Sequence, residues 1–193
     1  MNRPLLLVDV DGVISLFGFD PKRPPDGKFQ IVDGIAHFLS ATAGPLLREL
    51  SRWFEPAWCT GWEEKANDYL PHALELPGPW PYLSFDGVAT WGSCHWKLGA
   101  IDRYAGGSRP VAWIDDNHDE RTRAWAQGRP APTLLVETDP ATGLTEAHVG
   151  ELLAWARSQA AVRACTGGSS DATVDQVSPA SGEANSWPVV DPK

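Results

Sequence analysis

At 193 residues, 42% hydrophobic and with a formal net charge of −9, the chain is long enough to bury one substantial core and too acidic for unspecific attraction to nucleic acid or an anionic membrane. No apolar run reaches the roughly 18 residues of a membrane span, and the first is cut by Asp9, too early for a secretory leader, so a cytoplasmic protein is expected. Cys59, Cys94 and Cys165 are odd in number, widely spaced and in no CxxC pair, which argues against a disulfide framework and a thiolate zinc site; they are expected to be reduced.

In chain order, Leu5 to Ile14 (LLLVDVDGVI) reads as a strand buried on both faces whose carboxyl end carries Asp9 and Asp11. Gly12 lets the chain turn there and present both acids to one pocket. Carboxylates so close repel one another unless a cation lies between them, and a hard divalent ion suits oxygen ligands. A calcium loop does not fit: Gly stands at the fourth position and Val13 at the fifth, and a strand rather than a helix precedes. Ser15 to Gln30, rich in Pro and Gly among aromatics, is expected to be a loop or short hairpin acting as a flap beside the site.

From Gly44 to Phe54 the apolar residues Leu46, Leu47, Leu50, Trp53 and Phe54 follow the stripe of an amphipathic helix. Pro56 to Trp62 (PAWCTGW) reads as a short strand ending in Thr60 and Gly61. Glu63 to Leu76 then has helical spacing at Ala66, Tyr69, Leu70 and Ala73. Beside the first strand, the Thr60 hydroxyl and the Gly61 N–H can donate to an anion; the plainer alternative is that Thr60 caps the helix that follows. Pro77 to Gly92 is an irregular connection with one short strand at Trp80 to Phe85.

His95 to Tyr104 looks helical, with Lys97 near its start. Val111 to Ile114 is a second fully apolar strand that ends in acids, WIDDNHDE, so Asp115 and Asp116 are expected on the same edge as Asp9 and Asp11. Thr133 to Val136 is the last strand. Thr145 to Val162 is the last helix, with Val149, Leu152, Leu153 and Ala156 facing inward. Residues 166–193, with little to bury, are expected to be a disordered tail behind a domain of residues 1–165. The recurring strand–helix unit implies a mostly parallel sheet with helices on both faces and a ligand site outside the carboxyl ends of the strands.

An acid pair, a Thr, a lone Lys and a second acid pair in this order resemble the haloacid dehalogenase-like (HAD) superfamily. DVDGVI matches its first motif, Thr60 of WCTGW its second, Lys97 its third and WIDD its fourth, over about residues 4–160. The WCTGW…AN, WKL and WIDD strings are further similar to the HAD domain of Swiss-army-knife RNA repair proteins. The resemblance implies an α/β fold, a three-layer α/β/α Rossmann-like sandwich with no separate cap domain. It also implies a Mg²⁺-dependent phosphatase acting through an aspartyl-phosphate, with nucleotides or nucleic-acid ends as candidate substrates.

In that scheme Asp9 is the nucleophile, and Asp11 is general acid and then base. Thr60 and Gly61 hold phosphoryl oxygens, while Lys97 neutralises Asp9 and the transferring group. Asp9, the Asp11 carbonyl and Asp116 bind the metal, with Asp115 a second choice or an outer neighbour. Asp11 at the +2 position suits protonation of an alkoxide and disfavours dehalogenation. An idle scaffold that binds a nucleotide or a protein partner is the alternative from another class. His95 and His118 are expected to be solvated or capping, and Cys59 to be a buried strand residue, since Lys65 stands where a phosphate-cradling Arg would be needed. Trp62, near the site, is placed to stack on a base or sugar.

Overall fold

The computed structural model describes residues 3–85 and 95–167. Four strands form one parallel sheet in the order β5-β1-β6-β7: β1 (Leu5–Val8), β5 (Glu55–Trp58), β6 (Val111–Asp115) and β7 (Thr133–Glu137). β1 is central, which is why it tolerates no polar residue before Asp9. Leu5 and Leu7 enter one core cluster with Ala57, Val111 and Trp113; Leu6 and Val8 enter the other with Trp58, Ala112 and Ile114.

Helices α1 (Ala43–Leu50), α2 (Ala66–Ala73) and α5 (Glu146–Gly167) contribute Leu47, Leu50, Leu70 and Leu152 to the second cluster, whereas α3 (Leu98–Ala105) contributes Ala100 and Ile101 to the first. The protein is thus α/β with a parallel sheet and helices, consistent with a Rossmann-like fold. No helix among the described residues is long and apolar enough to cross a membrane.

Several boundaries depart from the sequence reading. α1 stops at Leu50 instead of running to Phe54, because the chain must extend before Pro56. Phe54 stays buried in the turn, but Trp53 is 40% exposed beneath Arg157. The expected helix over Glu63 to Leu76 is a 3-10 turn, Glu63–Lys65, followed by α2. Tyr69, expected inward, sends its hydroxyl to Asp33. The expected strand at Trp80 to Phe85 is a single bridge between Tyr82 and Trp58. It is pinned by Asn67, which accepts from Trp58 Nε1 and Trp80 N and donates to the Trp80 carbonyl. α5 runs to Gly167, two residues past the expected end of the domain at residue 165; the rest of the expected tail, and Cys94, lie outside the described residues.

The largest departure is the flap. It is a three-stranded antiparallel sheet, order β2-β4-β3, built from β2 (Ser15–Leu16), β3 (Gly27–Val32) and β4 (Ile35–Ser40), and so extends ten residues past Gln30. The hairpin turns at Asp33 and Gly34, both with positive φ (49° and 81°), the two-residue turn whose twist matches its strands. The interval between Asp11 and Thr60 therefore holds more than helices and short connections. Ser40 N–H donates to the Ile14 carbonyl at 2.9 Å, tying this sheet to the loop that follows β1.

The shortened α1 separates two positions that the helical stripe treats alike. Leu50→Ala should cost about 2–5 kcal/mol by chemical denaturation, and Trp53→Ala should cost less than half as much as Leu50→Ala does. Equal costs would restore the longer helix.

Candidate active site

Asp9 follows β1 directly, and its N–H donates to the Ile114 carbonyl at 3.0 Å; on the other flank Cys59 N–H donates to the Val8 carbonyl at 2.8 Å. Because Val8 is opposite both Ile114 and Trp58, the register sets Asp9 beside Asp115 on one side and the Cys59–Thr60 segment on the other. Lys97, in the 3-10 turn that opens α3, reaches between the acids. Its Nζ lies 3.0 Å from Asp9 Oδ2 and 2.7 Å from Asp115 Oδ2, and the residue is 3% exposed, which rules out an ordinary surface lysine.

Asp116 completes the group. One oxygen each from Asp9, Asp115 and Asp116 can lie within 4.8 Å of the others. Of the two adjacent acids, Asp115 is committed to Lys97 and also accepts Asn117 N–H at 3.2 Å, whereas Asp116 is half-buried against Gly12. A Cβ on Gly12 would sit 2.5 Å from the Asp116 side chain, and Gly12 has φ +75°, so a side chain is excluded there by space and by backbone conformation alike.

The Asp11 carboxylate is not in this cluster. Its side chain is 42% exposed, accepts Trp62 Nε1–H at 2.9 Å and lies 3.5 Å from His37 Nδ1. Thr60 is buried; its Oγ1 accepts Trp62 N–H at 3.4 Å and its carbonyl accepts Glu63 N–H at 3.1 Å, so it shapes the turn without capping the helices that follow, whose N-cap positions are Trp62 and Lys65. A hydroxyl that accepts there can still donate to another group. Gly61 is exposed at the same turn.

Thr138, Ser15 and His37 belong to the site and carry no site signal in the sequence. Thr138, after β7, donates its hydroxyl to the Gly12 carbonyl at 2.9 Å and its N–H to the Asp115 carbonyl at 3.0 Å, fixing both acid-bearing loops from behind. Ser15 and His37 meet at 2.9 Å beside Asp11. Trp62 turns its indole N–H to an acid and its ring to His37. His118 is neither solvated nor capping: it is buried, with Nε2 3.2 Å from the Trp113 carbonyl, and burial lowers its pKa. Asp119 caps α4 (Glu120–Gly128) instead, accepting Thr122 N–H at 2.8 Å. Cys59 is buried in the core, as expected; the His95 side chain lies outside the described residues.

Three carboxylates facing one ammonium leave a formal charge of −2. The imbalance appears in their acidities. Burial, reinforced by Asp115 and opposed by Lys97, pushes Asp9 up to about 7. Burial and Asp115 push Asp116 up to about 6. Burial draws Lys97 down, but Asp9 and Asp115 outweigh it and hold the ammonium well above its ordinary value. Clustered, oxygen-only donors two charges short of neutrality suit a divalent cation, so Asp9, Asp115 and Asp116 could hold a metal ion. No family model matches the chain, and no curated protein matches it.

The raised acidities give a signed prediction. Without metal, the folded protein keeps protons that the unfolded chain, with aspartates near 3.8, has already released. Stability from these groups is therefore full below about pH 4 and is lost as pH rises through about 6 for Asp116 and about 7 for Asp9. Metal-free wild type should lose more Tm between pH 5 and 7.5 than Asp116→Asn does. Added Mg²⁺ should raise the wild-type Tm more at pH 7.5 than at pH 5, because the ligands must be ionised. Identical pH profiles for the two proteins would remove Asp116 from the cluster.

Proposed function

We propose that the protein is a Mg²⁺-dependent phosphatase of the HAD type that forms an aspartyl-phosphate on Asp9. The observation that carries this reading is the Asp9 carboxylate, buried at the end of the central strand, 3.0 Å from Lys97 and clustered with Asp115 and Asp116. The three-layer, HAD-like architecture belongs to the same reading, supported by core clusters that take alternate residues of β1 and β6.

A carboxylate attacks a phosphate dianion only where the charge of both is offset and the partners are held in line. Lys97 offsets and orients Asp9, its ammonium pinned on the far side by Asp115. Mg²⁺ held by Asp9, Asp115 and Asp116, with the Asp11 carbonyl as a further oxygen, would supply the remaining positive charge. Thr60 and the Gly61 N–H lie on the adjacent strand end, on the side of Asp9 away from Asp115, where phosphoryl oxygens need donors. Asp9 forms the P–O bond as the ester oxygen leaves, and Asp11 gives that oxygen a proton. Asp11 then takes a proton from water as the water attacks phosphorus, which releases phosphate and restores Asp9.

The 42% exposed Asp11 side chain puts the leaving group at the outer edge of the site, beside the small sheet of β2, β3 and β4. This suits the bulky phosphorylated ends of nucleic acids, the substrate class that the RNA-repair resemblance brings, at least as well as nucleotides. Lys22, Arg23 and Lys28 are all exposed on the flap, but Asp20, Asp26 and Asp33 match them in number, so the flap as a whole carries no net attraction for a polyanion.

Asp9→Asn should lower Mg²⁺-dependent hydrolysis of p-nitrophenyl phosphate at least about a thousandfold with Tm little changed, and EDTA should do the same to the wild type. Activity within tenfold of wild type in either case would overturn the mechanism. For substrate class, kcat/KM for a 3′- or 5′-phosphorylated oligonucleotide should equal or exceed that for its mononucleotide, by a margin that changes little with salt, because the flap carries no net charge to draw in a polyanion. Preference for the mononucleotide or for a sugar phosphate would exclude nucleic-acid ends.

A further inference from the structure

Asp11 is held by an arrangement separate from the clustered acids. Trp62, on the turn after β5, donates Nε1–H to Asp11 Oδ2 at 2.9 Å. His37, midway along β4, places Nδ1 3.5 Å from Asp11 Oδ1 and 2.9 Å from Ser15 Oγ, and its ring meets Trp62 edge-on with centroids 4.6 Å apart. Both polar contacts fall on one ring nitrogen, so Ser15, His37 and Asp11 do not form a nucleophile relay, which uses both nitrogens. The tip of the hairpin grips the helical stretch that follows Trp62: Asp33 accepts from Lys65 Nζ at 2.5 Å and from the Tyr69 hydroxyl, on α2, at 3.1 Å.

An indole nitrogen can only donate, so the oxygen it holds must be an acceptor. The carbonyl-type oxygen of a protonated carboxyl is its better acceptor, so the indole N–H favours that form at Oδ2 and places the acid's proton on Oδ1, on a side chain that is 42% exposed. We propose, resting on the phosphatase reading, that Trp62 is the positioning residue of the general acid and that His37 holds the Trp62 ring in place. The Trp62 N–H fixes the plane of the carboxyl group and selects the oxygen that serves the leaving group. When the ester P–O bond breaks, the Oδ1 proton passes to the departing oxygen; Oδ1 then recovers a proton from the attacking water, and Oδ2 stays on the indole throughout.

The test is Trp62→Phe, which keeps an aromatic ring and removes the donor, assayed with Mg²⁺ on a series of aryl and alkyl phosphates. An acid in place is worth about 10²–10⁴-fold on a poor leaving group, so misplacing it should cost kcat about tenfold or more on alkyl esters. On p-nitrophenyl phosphate, which needs little protonation, the loss should stay under about threefold, with KM little changed on either. Added to Asp11→Asn, Trp62→Phe should cost nothing more. His37→Phe should give the same leaving-group pattern at smaller size, and it stands in if Trp62→Phe does not fold. By NMR, the indole N–H signal that is absent in Trp62→Phe should move in Asp11→Asn while the other indole signals stay. Equal losses on good and poor leaving groups, a full additional loss on Asp11→Asn, or an unmoved signal overturns the positioning role while the wild type remains an active phosphatase. A wild type inert toward every ester overturns the phosphatase reading as well.

Discussion

Two buried carboxylates and a half-buried third can stand side by side in this protein because Lys97 lies among them. Each ionised group taken from water costs several kcal/mol, and only close, well-aligned opposite charge offsets that. Asp9 and Asp115 are adjacent because β1 and β6 pair in parallel with Val8 opposite Ile114, a register set by apolar residues that fill both faces of the sheet. The sheet thus holds two like charges at a distance they would not choose, and Lys97, delivered by the turn into α3, makes the arrangement tenable. One ammonium against three acids still leaves a deficit. A fold assembled for stability alone gains nothing from that deficit, whereas a site that must attract a divalent cation depends on it.

How much of this was legible in the sequence depends on the range over which the information acts. The two buried strands ending in acids were readable because a strand covered on both faces is a continuous apolar run, and Asp9 or Asp115 marks where it reaches water. Lys97 was readable as a position, since a lone lysine opening a helix is visible, but its burial was not; that comes from neighbours 18 and 88 residues away. The flap is a hairpin, one of the two forms expected, but it reaches further than its composition marks. Asp33-Gly34 between Ile31-Val32 and Ile35-Ala36 is a local hairpin signal, but it lies beyond the Pro- and Gly-rich stretch whose composition marks the expected flap. His37 carried no signal of its own, because only the antiparallel register, with Ser15 opposite Leu39, brings it over Asp11.

A protein with a net charge of −9 that acts on an anion must concentrate positive charge where the anion binds. The described residues supply one buried ammonium at the cluster, and its charge is already claimed by Asp9 and Asp115. Strand-end amides and the Thr60 hydroxyl add dipoles, not charge. On the proposed reading the metal is therefore needed for binding as well as for turnover: without it the approaching phosphate meets acids that are merely balanced or in excess. The raised acidities of Asp9 and Asp116 express the same condition in the protein alone, protons standing in for the cation that the oxygens are arranged to receive.

The flap does not behave, on its contacts, as a lid that swings free. Its tip is tied to the 3-10 turn and α2 through Asp33, Lys65 and Tyr69, but that tie is exposed, and a surface ion pair contributes only about 0–1 kcal/mol. The firmer attachment is at the base, where Leu39 is buried in the core and Ser40 and Ser15 bond the backbone of the loop that carries Asp11. Moving the hairpin as a body would therefore drag that loop with it, and with the loop Gly12 and its close contact to Asp116. A wall built this way can flex at its tip while its base stays registered to the acids. That division leaves the outer edge of the small sheet freer to move than its inner edge, where His37 meets the ring of Trp62 and the Trp62 indole holds Asp11.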